Sequence, residues 1–476
     1  MRVRKLQDLQ DMDVVRFIRD GYILVKPNLP REFHAEVYKR TISILESEDN
    51  PGNNILARVP MLSHLFEDSI VDGSITSILG PNYYMHPHRH CHARPPNSEG
   101  QKLHKDGFSR RRHRTRWILA MYYPQDTTVE MGPTAVSPGS QYYNTEVGGN
   151  LVKEIPLPVE AGTLAIVNYD IWHRGMANRS NNPRLMFKFL FLRMTEPAGP
   201  SWQNNSQEWT SDDDKRNLHM YSVWQWHRGL DNIRDLGLSQ SHTVPHLLNL
   251  LTNNPEPMCT EAAYELGTMG DEAIAPLLDT LEDHNEPITE TNEVAYGTLA
   301  HSSKSEDIRR NISYSLTSMG NLATPYLIDA TEHRNWWVRD TAIETLGDIG
   351  LYARDAVKSV MNAVADDSHQ VRRHAVEALG TIGQSDPTPV PTLIDALTDD
   401  DTVMRRNSTL ALARIGENSI EAIPALTSAL DDQDRYVRGK AFEALHRIHT
   451  SEAQEILIRR LSTARWCDKT TKEDLY

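Results

Sequence analysis

Apolar residues recur at three-residue steps near the start of the chain, at Leu6, Leu9, Met12, Val15 and Ile18, and that spacing predicts a helix over 6–20. Gly21 stops it, and Tyr22-Ile-Leu-Val-Lys26 reads as a strand. Pro30 opens a second helix running to about Leu45, with the proline near the first turn, where its missing N–H costs nothing. A third helix is predicted from Leu62 to Leu79, stopped by Gly80-Pro81. Beyond it the pattern shifts to short apolar runs bounded by turn residues. Trp117–Tyr123, Ala135–Val136 and Leu164–Val167 read as strands, and Arg184–Leu192 reads as a buried one.

The pattern changes again at about residue 243 and becomes periodic. Val338-Arg339, Val371-Arg372, Met404-Arg405 and Val437-Arg438 recur every 33 residues. Gly350, Gly383 and Gly416 keep the same step, with His449 in the fourth place, and so do Pro391 and Pro424. Each unit reads as two helices joined by an acidic turn, with Gly closing the second. Two less regular units precede the clean ones, with an insertion around 284–304. This array resembles HEAT repeats over 243 to about 462, in which neighbouring units bury each other's apolar faces. Residues 201–241 are then a connector. Its Tyr221, Trp224 and Trp226 are expected on a helix that pins the two parts together, and Ser211-Asp-Asp-Asp-Lys-Arg216 is placed to cap it.

Charge is divided along the same boundary. Residues 1–200 carry 25 Lys and Arg against 21 Asp and Glu, whereas 201–476 carry 25 against 44, a net of −19. Such an acidic second half argues against nucleic acid as its partner. Three widely spaced cysteines, Cys91, Cys259 and Cys467, make neither a disulfide framework nor a zinc pattern. The first residues hold no apolar signal-like core and no long apolar run occurs, so the expectation is a cytoplasmic protein with no membrane partner.

The candidate chemistry lies in His104-Lys105-Asp106, read with His173 and Arg184. His104 and Asp106 are two apart, so on an extended segment both side chains leave the same face. With His173 from a later strand they make two imidazoles and one carboxylate, the facial set of non-haem Fe(II) oxygenases, whose open positions take co-substrate and O₂. Arg184 follows His173 by eleven residues, and its planar guanidinium could grip a carboxylate bidentately. The constellation calls for Fe(II) and 2-oxoglutarate.

These residues sit among further matches in a fixed order. They are Phe17–Val25, His104-Lys-Asp106, Trp117-Ile-Leu-Ala120, Met131-Gly-Pro-Thr134, Ser137-Pro-Gly-Ser-Gln141, Gly162–Val167, and His173-Arg-Gly-Met-Ala-Asn178 with Arg184. In that order the chain resembles the phytanoyl-CoA dioxygenase family over roughly residues 10 to 195. The resemblance implies a double-stranded β-helix, or jelly roll, with flanking helices over 1–200. The connector over 201–241, an all-α HEAT-repeat solenoid over 242–463 and a tail over 464–476 would follow. It implies that His104, Asp106 and His173 hold iron, that Arg184 pairs the far carboxylate of 2-oxoglutarate, and that O₂ is consumed. The carboxylate at Asp106, replaced by a small residue in halogenating relatives, favours hydroxylation.

Family position also nominates secondary residues. His86, His88, His90 and His92 fall at period two on the strand before His104, so they share a face if it is extended. The resemblance makes His90 and His92 candidates to contact co-substrate or substrate; the alternatives are a second metal site and a polar face turned to solvent. Trp117 and Tyr122 are candidates to line the co-substrate, with core packing as the alternative. Arg110, Arg111, Arg112, Arg114 and Arg116 crowd into seven positions just past Asp106. They are either a solvated loop or a clamp for an anionic small-molecule substrate, such as a CoA or carrier-linked ester, a phosphate or a carboxylate. The acidic array is expected to be a separate module with its own core that docks a basic protein partner. Two other readings stay open: a scaffold with a vestigial oxygenase fold, and a protein like the HEAT-type bilin lyases.

Overall fold

The computed structural model describes residues 6–48, 50–107, 112–145, 153–206, 209, 217–233, 242–284 and 304–463. Arg110, Arg111, the predicted cap at 211–216, most of the 284–304 insertion and the tail from 464 lie outside the described residues. Helix α1 runs over Asp11–Asp20, not from residue 6. Gln10 caps it in a reciprocal box with Asp13, and the residues before Gln10 lie along the Ser69–Leu79 helix, with Gln7 N–H on the Ser69 carbonyl and Leu9 N–H on Ser77 Oγ. The apolar spacing therefore continues across a helix start. Helix α2 spans Arg31–Ser47. The predicted third helix is broken at Asp68, whose carboxylate accepts from the backbone N–H groups of Ile70 and Val71 and starts α3, Ser69–Leu79.

Among the described residues eight strands occur, in chain order β1 (Tyr22–Val25), β2 (Tyr83–Arg94), β3 (Trp117–Tyr122), β4 (Thr134–Val136), β5 (Ile155–Pro156), β6 (Leu164–Asn168), β7 (His173–Gly175) and β8 (Arg184–Arg193). They form two sheets, a five-stranded one ordered β1-β6-β3-β8-β2 and a three-stranded one ordered β5-β4-β7, and every pairing within them is antiparallel. The larger sheet is buried on both faces. Ile118, Ala120, Tyr122, Phe187, Phe189 and Phe191 pack outward against the helices that precede β2. Leu119, Met121, Tyr123, Met186, Leu190 and Leu192 point inward. Burial on both sides is why β8 reads as an unbroken apolar run rather than an alternating one.

The inner face is covered in part by the small sheet and in part by the helical array. Tyr84, Leu190 and Leu192 of the barrel belong to the same apolar cluster as Val338, Val371, Met404 and Val437 of the repeats. Those four open the inner helices α5 (Trp336–Ile349), α6 (His369–Ile382), α7 (Thr402–Ile415) and α8 (Arg435–Ile448), which follow the connector helix α4 (Leu218–His227). Each unit is latched to the next by an arginine, with Arg339 on Asp366 at 2.6 Å and Arg405 on Asp432 at 2.7 Å. Gly350 and Gly416 close their helices at φ +70° and +67°, and His449 takes the same left-handed role at +58°. The expectation of a separate array with its own core is thus corrected: the two parts share one core.

The arginine run explains how they join. Arg112 pairs with Glu377 at 2.8 Å. Arg114 is buried and donates to the Asp348 and Thr317 carbonyls. Arg116 holds Glu196 through two hydrogen bonds of 2.7 and 2.8 Å and also reaches Asp348 of α5. Trp226 lies under the same guanidinium groups, 5.3 Å from Arg116 and 4.9 Å from Arg193, and its indole N–H reaches Glu196. Trp224 is sealed against Val14, Val15 and Ile18. Arg112 and Arg114 are therefore not a substrate clamp. They and Arg116 are the charged lining of an internal joint, into which Trp226 of α4 reaches.

Burial alone would raise the Glu196 carboxyl, but the charge of Arg116 and its hydrogen bonds outweigh that and hold it at about 2. A depressed folded value contributes stability above the unfolded value and loses it as pH falls through the folded one. Glu196→Gln is expected to lower the stability of the full chain by about 3 kcal/mol at pH 7, a difference that shrinks between pH ~4.3 and ~2. Urea midpoints of both proteins across that pH range check it.

Candidate functional site

The small sheet brings the first two site residues together. His104 bridges to His173 by a reciprocal pair, His104 N–H to the His173 carbonyl at 3.0 Å and His173 N–H to the His104 carbonyl at 2.9 Å. Residues paired in this way stand directly opposite, so their side chains share a face; the two rings are 4.7 Å apart. Asp106, two residues on, turns its carboxylate to the same point. Its Oδ2 lies 3.3 Å from His173 Nε2 and its Oδ1 3.9 Å from His104 Nε2. One ligand atom from each residue lies within 4.8 Å of the others.

The outer nitrogens orient both rings. His104 Nδ1 sits 2.9 Å from the Lys102 carbonyl and His173 Nδ1 3.0 Å from the Ile171 carbonyl. A carbonyl accepts only, so each Nδ1 is the donor there and each Nε2 is the nitrogen turned inward. Burial and the neighbouring His173 push His104 down, which favours the neutral form that binds metal. Burial would raise the Asp106 carboxyl, but its contacts with His173 and Lys188 hold it well below the usual carboxylate range. The set is preorganised for a divalent cation, with two imidazoles and one carboxylate on one side.

Beside the triad a cavity opens, lined by His92, Thr134, His173, Arg184, Met186 and Lys188. Arg184 is buried at its far end, its Nε donating to the Gly132 carbonyl at 3.1 Å while Nη1 has no partner. An unpaired guanidinium nitrogen inside a cavity is costly unless an anion meets it. Gly175 leaves it room, since a Cβ there would lie 3.2 Å from Arg184 Nη2. Iron and the far carboxylate of 2-oxoglutarate therefore fit the residues present, the first at the triad and the second at Arg184.

The secondary candidates divide. His88, His90 and His92 do share one face, with rings 5.1 and 4.2 Å apart in succession, and His92 lines the cavity. Burial, with the Lys188 charge, pushes His90 down to about 3, and burial with His90 pushes His92 down to about 2, so both imidazoles are neutral. Among the described residues no second cluster of metal-ligand type is found, and the histidine strip does not form one. Tyr122 is corrected: it lies on the outer face, its hydroxyl 2.8 Å from His34 Nδ1. Tyr123 is the inward tyrosine, hydrogen-bonded to Thr134 at 2.7 Å. Trp117 faces inward but away from the cavity, stacked on Tyr169 at 5.7 Å and edge-on to His86 at 5.9 Å.

Lys188 is the residue that sequence reasoning passed over. It is buried on β8, four after Arg184, and donates to Asp106 Oδ2 at 2.9 Å. A lysine inside an otherwise apolar strand, in phase with Arg184, was the available signal.

With that geometry in hand, the comparisons agree on the two parts. Residues 17–186 match the family model of phytanoyl-CoA dioxygenase, and residues 297–468 match HEAT repeats in three overlapping stretches. The chain thus joins a region that matches the phytanoyl-CoA dioxygenase family to one that matches HEAT repeats. No curated protein matches it. Among solved structures it is similar to the non-heme alpha ketoglutarate dependent carbocyclase SnoK from nogalamycin biosynthesis. That match has 14% identity, 40% of this chain and 88% of that chain covered, and a TM-score of 0.34. It is also similar to EctD from S. alaskensis with 2-oxoglutarate and 5-hydroxyectoine, at 17% identity, 40% and 80% coverage and a TM-score of 0.34. Among the described residues no helix of the chain is long and apolar enough to cross a membrane.

Anaerobic addition of Fe(II) and 2-oxoglutarate to the full chain is expected to give a visible charge-transfer band. His104→Ala and Asp106→Ala should each abolish it; an unchanged band in both contradicts the ligand assignment.

Proposed function

We propose that the protein is an Fe(II)- and 2-oxoglutarate-dependent dioxygenase that hydroxylates a C–H bond of a small polar substrate carrying an anionic group. The observation that carries this reading is the triad of His104, Asp106 and His173 facing a cavity with an unpaired, buried Arg184 nitrogen at its other end. When bound, iron and 2-oxoglutarate supply the oxidation, consuming O₂ and releasing succinate and CO₂. The chain's own residues hold and orient. His104 and His173 offer Nε2 because Lys102 and Ile171 fix the other nitrogen. Lys188 holds the Asp106 carboxylate in place through Oδ2. Arg184 receives the co-substrate's distal carboxylate, with Thr134 beside it in the same cavity. Leu190, Met186 and the shared core behind them keep water from the reacting groups.

A carrier-linked or CoA ester remains within this substrate class. A protein partner, if docked on the array, meets the face turned away from the barrel, and the array's net charge suits a basic surface whose association weakens with salt.

Arg184→Ala removes one partner of a desolvated charge pair. The affinity for 2-oxoglutarate should fall about a hundredfold, equivalent to roughly 3 kcal/mol, while the Fe(II) affinity stays near that of the wild type. Calorimetric titration of 2-oxoglutarate and measured succinate formation check it; wild-type affinity in the variant contradicts the assignment.

A further inference from the structure

Two arginines, not one, stand at the Arg184 end of the cavity. The register of β2 on β8 pairs Arg94 directly with Arg184, and both side chains line the cavity beside the triad. Side chains paired in this way leave the same face of the sheet, and like charges set directly opposite each other repel. Here they also converge. A Cβ built on Gly175 would come 3.1 Å from Arg94 Nη2 and 3.2 Å from Arg184 Nη2. Both guanidinium groups thus reach a stretch of cavity wall that carries no side chain.

Protein groups fix the two side chains without neutralising them. Arg94 Nη1 donates to the Glu99 carbonyl and Arg184 Nε to the Gly132 carbonyl. Asn178 is buried and ties the end of β2 to the turn before β8, its Nδ2 donating to the Arg94 carbonyl at 3.2 Å and to the Asn182 carbonyl at 2.8 Å. The Glu99 carboxylate is engaged with Arg179, at 3.0 and 3.1 Å. Among the described residues no carboxylate pairs with Arg94 or Arg184, and Arg184 Nη1 is buried with no partner. Burial lowers the Arg94 guanidinium below its ordinary value. Burial does the same to Arg184; Tyr123 opposes it and the Arg94 charge adds to it. Two facing cations of this kind are relieved by an anion held between them.

We propose that Arg94 is a specificity-determining residue of the co-substrate site, forming with Arg184 a two-guanidinium clamp on the distal carboxylate of 2-oxoglutarate. The assignment rests on the dioxygenase reading and goes beyond it, because one arginine is enough to anchor that carboxylate and the second sets selectivity. A carboxylate has two oxygens with about four lone-pair sites, so it accepts from two guanidinium groups at once. A 2-oxo acid with an uncharged end would leave both cations facing each other with no anion between them. The clamp therefore selects 2-oxo acids that carry a second carboxylate, as much by the penalty on the wrong ligand as by attraction for the right one. It also accounts for glycine at 175, where a side chain would crowd both guanidinium groups.

The test uses the full chain loaded anaerobically with Fe(II), titrated by calorimetry with 2-oxoglutarate and, separately, with 2-oxopentanoate, which ends in a methyl group in place of the second carboxylate. The wild type is expected to favour 2-oxoglutarate by about a hundredfold or more. Arg94→Gln should weaken 2-oxoglutarate binding about tenfold, the loss of a charge-assisted contact, and leave that of 2-oxopentanoate within about twofold. Arg94→Lys, which keeps the charge without the planar fork, should fall between the wild type and Arg94→Gln. Fe(II) affinity measured without co-substrate should be the same in all three proteins, which reports an intact fold and triad. Wild-type affinity for 2-oxoglutarate in Arg94→Gln overturns the proposal. So does an equal loss for both 2-oxo acids, the mark of a purely structural role. Either result leaves the dioxygenase reading standing, whereas failure of the wild type to bind 2-oxoglutarate removes that reading and the clamp with it.

Discussion

The larger sheet has an apolar inner face longer than anything in its own domain can cover. β8 runs ten residues with every one buried, whereas the strands of the facing sheet are two or three residues long. The short sheet suffices to seat the metal triad and to cover the Arg184 end. Beyond it Leu190, Leu192 and Tyr84 join the apolar cluster of the repeats, since apolar area of that kind must be buried. The repeat array meets that need. From this one constraint follow the shared core and the tight seat of α8 on β2.

Joining two domains over a sheet edge also buries polar groups, and the charges at the joint are arranged to meet that cost. Arg116 faces two carboxylates, Glu196 and Asp348, while Trp226 offers its ring to the guanidinium groups of Arg116 and Arg193. Gln384 closes the same seam from α6 onward, accepting from Glu196 N–H and donating to the Met194 carbonyl. Removing one partner of such a network strands the others, so the joint tolerates little substitution and fixes one docking geometry.

The metal ligands were legible because their logic is local: two residues at period two on an extended segment, and a histidine on a later strand in a recognisable order. The repeat period was legible for the same reason, down to His449 standing in for a glycine. What failed was everything set by which face is inner. β3 is buried on both sides, so its sequence holds no alternation that separates Tyr122, bonded to His34 behind the sheet, from Tyr123, bonded to Thr134 within it. The arginine run failed differently. A cluster of cations after an iron ligand suggests an anionic ligand, yet their anions are Glu377, Glu196 and Asp348, up to 265 residues away in sequence. Lys188 was visible in principle as a charge in phase with Arg184 on an apolar strand.

The central claim is that barrel and array are one cooperative unit, so that α8 stays seated on β2. Native-state hydrogen exchange of the full chain under increasing denaturant, read peptide by peptide over β2, β3, β8 and α8, tests it most directly. The account predicts that these segments open together, at one common free energy and with one denaturant dependence. Exchange of α8 at low denaturant while β3 and β8 stay protected would contradict it, because the array would then leave the barrel without unfolding it.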